Sequence, residues 1–314
     1  MRPTGWQARL AHGVTALAAA PLRPRYGGAL PPGRVSVPEE RRAPVPAGAL
    51  TTLLHGGDAL VPPTVLLHGL NANARYWTGV ASVLHGPRRV IAPDLRGHGG
   101  TGPLPGGYGI EAFRADLLAW LDALDLPRVD LVGHSMGGKI AADLAAAAPE
   151  RIRRLVLVDP VPPEGIHGVL DRLSPLRRAI FAPERGPFAS AEELAQAHRT
   201  ISWLRHAEPW MHAAFDANFV AADDESIRPV CDAAIFDELY RRVLTVPSPL
   251  PLERLTMPTL LLRATFSVMP FSGQVRRLAR RVPRLRSERL PGEHSLHATN
   301  PVGLARVIEG FLAG

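Results

Sequence analysis

Cysteine and lysine are almost absent from this sequence of 314 residues, which contains one of each, Cys231 and Lys139. A single cysteine excludes an intrachain disulfide, and no Cys/His spacing typical of zinc ligands is present, so no metal site is expected. We expect Cys231 to be a small packing residue. Long apolar runs are also missing: none approaches the ~20 residues that cross a bilayer, and no membrane span is expected.

The net charge of +7 comes almost entirely from arginine. A basic chain attracts anionic partners, but a nucleic-acid footprint concentrates its charge beside aromatic or motif residues. These arginines are instead scattered through predicted helices and loops, so no nucleic-acid partner is expected. Hydrophobic residues at 46% and charged residues at 21% are typical of a globular protein with a large core.

Residues 1–48 are predicted to form an N-terminal arm that is partly helical. Its first 20 residues resemble a weak secretion signal, but polar residues interrupt the apolar stretch, so we favour a docked amphipathic helix and a cytoplasmic protein. Residues 22–46 are rich in Pro, Gly and Arg, which indicates an irregular segment with one short edge strand at 34–37. The apolar residues at helical spacing are Trp6, Leu10, Val14 and Leu17.

Strands and helices alternate over 49–160 and again over 252–314. This alternation predicts an α/β core with a mostly parallel sheet, helices on both faces, and chemistry at the carboxyl ends of the strands. Predicted strands are 49–54, 64–68, 89–94, the run starting at Val129, 154–159, 258–263 and 286–290. Predicted helices include 108–124, with Phe113, Leu117, Trp120, Leu121 and Leu124 on one face, 139–148, a helix near 273–281 and one that closes the chain.

Residues 161–251 break the alternation, because prolines and then several helical patterns without strands follow one another. We interpret this segment as a helical cap inserted into the core after the strand 154–159. Its aromatic side chains are candidates for the interior of the cap. Three of them, Trp203, Trp210 and Phe215, are also candidates for contacts with a substrate.

The stretch 129–138, V-D-L-V-G-H-S-M-G-G, is a β-branched apolar run followed by a sharp turn and an Ala-rich helix. This pattern predicts a nucleophile elbow with Ser135 at its centre. Gly133 and Gly137 flank the serine, since a side chain at either position would collide with the neighbouring strand or helix. The helix N-terminus behind the hydroxyl would stabilise negative charge.

Four motifs occur in order: H-G-L at His68, D-L-R-G-H-G at Asp94, G-H-S-M-G-G at Gly133 and G-E-H-S-L-H-A-T-N-P at Gly292. With them the chain, over about 49–312, resembles the capped α/β-hydrolases, a group with esterases, lactonases, C–C bond hydrolases, epoxide hydrolases and cofactor-free haloperoxidases. The resemblance implies an eight-stranded-type sheet, no cofactor and a small-molecule substrate.

The resemblance assigns the nucleophile to Ser135 and the general base to His294, which takes the serine proton and returns it to the leaving group. The backbone N–H groups of Leu70 and Met136 correspond to the oxyanion hole. His297 is expected to be a supporting or surface residue. Structural hydrogen bonds are expected for His68, His98 and His134, and a surface location is expected for His55 and His85. Asp94 is also expected to be structural.

The acid of the triad departs from the family's pattern. Most members place it in the loop after the seventh strand, where this chain has Ser267 and where no acid lies nearby. A second location used in the family is the end of the strand after the elbow helix, which Asp159 occupies, within possible reach of His294. Glu293 is a weaker candidate, because adjacent side chains in an extended segment point apart.

These features predict a serine hydrolase that cleaves an ester, thioester or lactone of a moderately apolar small molecule through an acyl-enzyme on Ser135. The gap at Ser267 leaves open a lyase or cyclase of specialised metabolism, in which His294 only moves a proton. A non-enzymatic small-molecule receptor is a third alternative, against which the intact serine and histidine argue. The identity of the substrate and the oligomeric state are left open.

Overall fold

The computed structural model describes residues 30, 35–56, 61–84, 88–160, 185–201, 203–205, 207–244, 254–267, 282 and 284–314. The strands in this part of the chain are β1 (Glu39–Val45), β2 (Gly48–His55), β3 (Thr64–Leu67), β4 (Val90–Pro93), β5 (Val129–His134), β6 (Ile152–Val158), β7 (Phe219–Ala221), β8 (Ile227–Pro229), β9 (Thr259–Phe266) and β10 (Leu285–Glu293). Eight of them form one sheet in the order β1-β2-β4-β3-β5-β6-β9-β10.

The sheet is mostly parallel, as predicted. Within this sheet only β1 with β2 and β2 with β4 pair antiparallel. The other six strands, β4, β3, β5, β6, β9 and β10, run in the same direction. The carboxyl ends of β3, β5, β6, β9 and β10 therefore meet at one edge, where the loops that follow them lie side by side.

The prediction of an edge strand at 34–37 is wrong. Residues 35–37 are irregular, and the edge strand is β1, which pairs with β2 from Glu39 opposite Leu54 to Val45 opposite Gly48. Four consecutive charged residues open β1, and only Ala43 and Val45 are buried, so the alternation that marks a strand is hidden in the sequence. The sheet thus begins before the expected core boundary at residue 49.

Helices cover both faces of the sheet. They are α1 (Thr78–Leu84), α2 (Ile110–Ala123), α3 (Met136–Ala147), α4 (Ala191–Thr200), α5 (Pro209–Asp216), α6 (Ala233–Leu239), α7 (Leu296–Thr299) and α8 (Pro301–Ala313), with 3₁₀ turns at Ala74–Trp77 and Pro149–Arg151 and a π-helical turn at Tyr240–Leu244. On one face α2 and α3 bury an apolar cluster that includes Phe113, Leu117 and Trp120, as the predicted stripe requires. On the other face α1 and α8 pack together.

Of the segment predicted as a helical cap, called the cap below, the structure describes 185–201, 203–205 and 207–244, which contain α4, α5 and α6. The cap also holds the antiparallel hairpin of β7 and β8, so the expectation of a segment without strands is wrong. Strands this short carry too few residues for a period-2 pattern to be visible in the sequence. The predicted helix at 273–281, most of the N-terminal arm, and His85 lie outside the described residues.

His55 was expected at the surface, and this is also wrong. The side chain is at the end of β2 and is 0% exposed. Its Nδ1 lies 3.1 Å from Oγ of Ser36, whose own N–H donates to Oγ of Ser82. Residues just before β1 therefore cover the end of β2, a packing that the Pro-rich composition of the arm did not indicate.

The cap contacts the core at both α1 and α3. The indole of Trp210 lies against Gly79 of α1, where an added Cβ would be 2.5 Å from the ring. On the other side Nζ of Lys139, in α3, donates to the carbonyl oxygen of Val243 at 2.5 Å. Since Val243 belongs to the π-helical turn that ends the cap, this buried ammonium group joins the elbow helix to the cap.

This lysine makes stability depend on pH in a specific window. Burial lowers the pKa of Lys139 from 10.5 to about 8. Between those values the unfolded chain binds more protons than the folded protein, so the contribution of Lys139 to the free energy of unfolding rises with pH. From about pH 8 to about pH 10, we expect the free energy of unfolding of wild type to rise by on the order of 2 kcal/mol relative to that of Lys139→Met. Urea denaturation of both proteins measures it, and identical pH dependences would contradict the prediction.

Candidate active site

The nucleophile elbow has the geometry predicted for it. Ser135 lies between β5 and α3 with φ of 52° and ψ of −114°, a strained conformation for a residue with a side chain. Its N–H donates to the carbonyl oxygen of Val158 in β6 at 3.0 Å, which fixes the turn to the sheet. A Cβ on Gly133 would overlap the carbonyl of Gly137. The two glycines are therefore required by close backbone approaches.

Gly137 allows a direct test of this packing. An added Cβ would lie 2.5 Å from the carbonyl oxygen of Leu67 and would also overlap that of His68, and neither backbone atom can move without shifting β3. We expect Gly137→Ala to lower the free energy of unfolding by about 1–3 kcal/mol or more. Gly310→Ala is the control, because a Cβ there meets nothing within 4 Å. Chemical denaturation should find Gly310→Ala as stable as wild type or more stable. A Gly137→Ala protein as stable as Gly310→Ala would contradict the account.

Three side chains from three strand ends form a line. Nε2 of His294, which follows β10, lies 3.1 Å from Oγ of Ser135, and Nδ1 of the same ring lies 2.7 Å from Oδ2 of Asp159. Asp159 follows β6 and is 0% exposed, whereas the side chain of His294 is 22% exposed. The imidazole is thus partly exposed, and it contacts a serine hydroxyl at one nitrogen and a buried carboxylate at the other.

The surroundings of Asp159 keep it ionised. Burial alone would raise its pKa, but the hydrogen bond and charge of His294 and the hydroxyl of Ser267 outweigh burial, so the pKa lies below its ordinary value. Ser267 donates to Oδ2 at 2.6 Å, and the N–H of Ala264 donates to Oδ1 at 3.2 Å. The serine at the family's usual acid position is therefore a hydrogen-bond donor to the acid itself, a role that the sequence analysis missed.

The other acids near the motifs have different surroundings. Glu293 is half-buried at the end of β10, where burial raises its pKa, and its N–H donates to Oγ1 of Thr299. Asp94 is buried, and its two carboxylate oxygens accept the N–H groups of Ala74 at 2.6 Å and Gly100 at 2.8 Å. Burial raises the pKa of Asp94 to about 6. Asp94 thus joins two loops, the structural role expected of it.

His134 supports the backbone of His294. Its Nε2 donates to the carbonyl oxygen of His294 at 2.9 Å, and the two rings lie 4.8 Å apart. Burial lowers the pKa of His134 to about 3, so the ring is neutral and adds no charge beside the base. His297 packs against His134 at 4.5 Å and is buried, which makes it a supporting residue and not a surface one. The spacing of these residues in the sequence gives no signal of the bond to His294.

The loop after β3 places one peptide group beside Ser135. Burial lowers the pKa of His68 well below its ordinary value, and the N–H of Leu95 donates to Nε2, so the ring proton is on Nδ1. Nδ1 donates to the carbonyl oxygen of Gly69 at 2.8 Å, which fixes the peptide that carries the N–H of Leu70. A Cβ on Gly69 would lie 3.3 Å from Cβ of Ser135. The N–H of Leu70 therefore belongs to a fixed peptide in the immediate neighbourhood of the serine.

Met136 begins α3 directly after the serine. N–H groups in the first turn of a helix have no acceptor within the helix, and they carry the positive end of the helix dipole. The carbonyl oxygen of Ser135 accepts the N–H groups of Gly138 at 3.0 Å and Lys139 at 3.2 Å, which holds that first turn in place. Leu70 and Met136 thus belong to backbone segments on which an oxyanion hole can be built.

The aromatic residues of the cap pack where the cap meets the core. Phe215 is 1% exposed and lies against Phe219 with ring centroids 5.2 Å apart. Trp203 is half-buried between Phe215 and Tyr76. With Trp210 against α1, these side chains stabilise the docking of the cap. Among the three candidates for substrate contact, Trp203, Trp210 and Phe215, the side chain of Phe215 is therefore almost inaccessible.

The comparisons with known proteins agree with this fold. Residues 62–222 match the family described as the α/β hydrolase fold, so the chain belongs to this family. The 2-hydroxy-6-oxo-2,4-heptadienoate hydrolase of Pseudomonas putida is 33% identical over 239 residues, 68% of this chain and 84% of that protein. The 2-hydroxymuconate semialdehyde hydrolase of a Pseudomonas species is 33% identical over 198 residues, 59% of this chain and 67% of that protein. A solved α/β hydrolase from Novosphingobium aromaticivorans aligns with a TM-score of 0.71 and 26% identity over 88% of this chain and 99% of its own.

The relatives are named hydrolases, and the chain is an enzyme of the α/β hydrolase superfamily. Among the described residues, no helix is both long enough and apolar enough to span a membrane.

Proposed function

We propose that this protein is a serine hydrolase that cleaves an ester, thioester or lactone of a moderately apolar small molecule through an acyl-enzyme on Ser135. The observation that carries the proposal is the line from Oγ of Ser135 to His294 at 3.1 Å and from His294 to Asp159 at 2.7 Å. A serine hydroxyl needs a base within hydrogen-bond reach, and the base needs a third group to orient it.

In the first half-reaction Nε2 of His294 takes the proton of Ser135 as Oγ attacks the carbonyl carbon. Asp159 holds Nδ1 protonated, so that Nε2 is the acceptor, and stabilises the imidazolium that forms. The N–H groups of Leu70 and Met136 donate to the oxyanion of the tetrahedral intermediate. His294 then protonates the leaving group, and the acyl group remains on Ser135.

In the second half-reaction the same imidazole takes a proton from water, whose oxygen attacks the acyl carbon, and the imidazolium returns the proton to Oγ of Ser135 as the acid leaves. The rings beside the base support this cycle. Burial lowers the pKa of His134 to about 3 and that of His297 well below its ordinary value, so both stay neutral. An imidazolium formed on His294 therefore meets no like charge from these neighbours, while the carboxylate of Asp159 stabilises it.

The relatives support a small carbonyl compound as the substrate. The Pseudomonas putida protein is named for the hydrolysis of 2-hydroxy-6-oxo-2,4-heptadienoate, a small oxo acid. By analogy we infer that this chain also acts on a small molecule, bound beneath the cap beside Ser135.

A lyase or cyclase is the alternative that the absence of an acid at Ser267 leaves open. Because Asp159 lies within hydrogen-bond distance of His294, that observation no longer favours it. The two reactions differ in the fate of water. Turnover in water enriched in 18-oxygen should place one solvent oxygen in the acid product, whereas an elimination or ring closure would incorporate none.

The acyl-enzyme is tested with p-nitrophenyl acetate, a small ester that needs no knowledge of the natural substrate. We expect a burst of p-nitrophenol and, after rapid acid quench, a protein mass raised by one acetyl group that peptide mapping places on Ser135. The Ser135→Ala protein should show neither the burst nor the added mass. Hydrolysis at the wild-type rate by Ser135→Ala would overturn the proposal.

A further inference from the structure

A set of polar groups connects the cap to the loop that carries Leu70. This set, the asparagine network, consists of the backbone carbonyl of Asn71 and the side chains of Asn73, of Tyr76 in the following 3₁₀ turn, and of Asn218 between α5 and β7 of the cap. Asn73 and Asn218 are both buried. Since buried amides are retained only where their hydrogen bonds are satisfied, each bond in the network indicates a fixed arrangement.

The loop is held at two carbonyl groups, one on either side of Leu70. The carbonyl oxygen of Gly69 accepts a hydrogen bond from His68, which belongs to the core. The carbonyl oxygen of Asn71 accepts a hydrogen bond of 3.0 Å from Nδ2 of Asn218, which belongs to the cap. The backbone that presents the N–H of Leu70 is therefore fixed from both parts of the molecule.

Asn71 needs such support. Its φ is 53°, the left-handed region that residues other than glycine adopt at a cost. A conformation of this kind persists only where surrounding contacts hold it, and the bond from Asn218 acts on the carbonyl of this residue. Without that bond, the strained conformation of Asn71 loses its support from the cap, and only the bond from His68 to Gly69 still holds the peptide that carries the N–H of Leu70.

The side chain of Asn218 is itself held in place. Its Oδ1 accepts from Nδ2 of Asn73 at 2.8 Å, and its Nδ2 also donates to the hydroxyl of Tyr76 at 2.9 Å. Its backbone carbonyl accepts the N–H of Val230, which follows the cap hairpin. Asn218 can therefore transmit the position of the cap to Asn71 with little freedom.

We propose that Asn218 is a positioning residue of the cap that holds the oxyanion-hole loop in its productive conformation, through the carbonyl of Asn71. The inference rests on the proposed function, because it assigns a purpose to the N–H of Leu70. It adds that the cap is needed for the chemical step and does not only bound the substrate pocket.

Removal of the Asn218 side chain should slow bond formation at Ser135 and leave the base, His294, unaltered. A displacement of about 1 Å in a catalytic group lowers rates by about 10²-fold, and loss of one oxyanion donor by about 10²- to 10³-fold. Asn218→Ala should therefore react with a small fluorophosphonate about 10- to 100-fold more slowly than wild type. The midpoint of the pH profile of this reaction should stay unchanged, since no bond to His294 or Asp159 is removed.

Three variants separate positioning from general loss of structure. Asn218→Ala removes the whole amide, and Asn218→Asp keeps its shape and the oxygen that accepts from Asn73 but removes the donor to Asn71. Tyr76→Phe, the matched control, removes the other acceptor of Nδ2 and leaves the bond to Asn71 in place. Labelling rates are measured by intact mass across pH, beside thermal denaturation of each protein.

We expect both Asn218 variants to label slowly at every pH with the wild-type midpoint, and Tyr76→Phe to label close to the wild-type rate even where it melts earlier. Labelling of Asn218→Ala as fast as wild type would overturn the inference while leaving the proposed function intact. Equal slowing in Tyr76→Phe would also overturn it, because loss of cap stability would then explain the effect. A wild-type protein that does not label at Ser135 would overturn both.

Discussion

Replacement of Ser135 by alanine should lower ester turnover by about 10⁵- to 10⁶-fold, which is roughly 7–8 kcal/mol of transition-state stabilisation. The expectation follows from the line of side chains, since Oγ is the group that His294 contacts at 3.1 Å. Groups that act as one unit are not additive, so Ser135→Ala, His294→Ala and the double variant should be similarly slow. Steady-state hydrolysis of p-nitrophenyl acetate measures all three.

A histidine outside the candidate site is the control for the Ser135 and His294 variants. His198 lies in the cap, 2.7 Å from Asp216, and stacks on His212, away from the three strand ends of the candidate site. His198→Ala should therefore keep wild-type turnover. A double variant of Ser135 and His294 whose loss equals the product of the two single losses would contradict the account, because the two side chains would then act independently.

Replacement of Asp159 by asparagine should lower turnover by about 10⁴-fold, or roughly 5–6 kcal/mol. The amide retains the size of the carboxylate, but its NH₂ group can donate to His294 and favour the tautomer with the proton on Nε2, which cannot accept from Ser135. The substitution also removes the negative charge that stabilises the imidazolium of His294. Measured under saturating substrate, the loss should fall on kcat.

Ser267→Ala is the matched control for this variant. It removes the hydroxyl that donates to Oδ2 of Asp159 at 2.6 Å and leaves the carboxylate with His294 and the N–H of Ala264. The loss of one such bond should lower turnover by about tenfold or less. Equal activities for Asp159→Asn and wild type would show that another group orients His294, and Glu293→Gln would then be examined first.

The sheet and the elbow were predictable because they depend on local pattern. β3 and the last four residues of β6 are continuous buried runs, as central parallel strands require, and the glycines around Ser135 mark close backbone approaches. Edge strand β1 was misplaced because its exposed charges hide the period of the strand. Local chemistry thus identifies central strands well and edge strands poorly.

The position of Asp159 beside His294 depends on sheet order, which local pattern does not contain. Since β6 and β9 are neighbours, the residues that follow them, Asp159 and Ser267, meet at one point with 2.6 Å between their oxygens. The two locations that the family uses for its acid therefore converge in space. Asp159 and Ser267 are 108 residues apart in the sequence, and this distance hides the convergence.

The asparagine network was not predictable for a related reason. Asn71 and Asn218 are 147 residues apart in the sequence and belong to a loop and a cap whose docking is set by apolar packing. Each asparagine taken alone is typical of a turn. Only the docked cap brings Nδ2 of Asn218 to the carbonyl of Asn71, so its relation to the candidate oxyanion hole becomes visible in three dimensions.

The most direct test of the account is intact-mass analysis of wild type, Ser135→Ala and Asp159→Asn after exposure to a small fluorophosphonate, which reacts with activated serines. The account predicts fast addition of one label to wild type, no addition to Ser135→Ala, and addition to Asp159→Asn slowed by orders of magnitude. A wild-type protein that stays unlabelled, or that labels equally fast without Ser135, would contradict the central claim that Ser135 is an activated nucleophile.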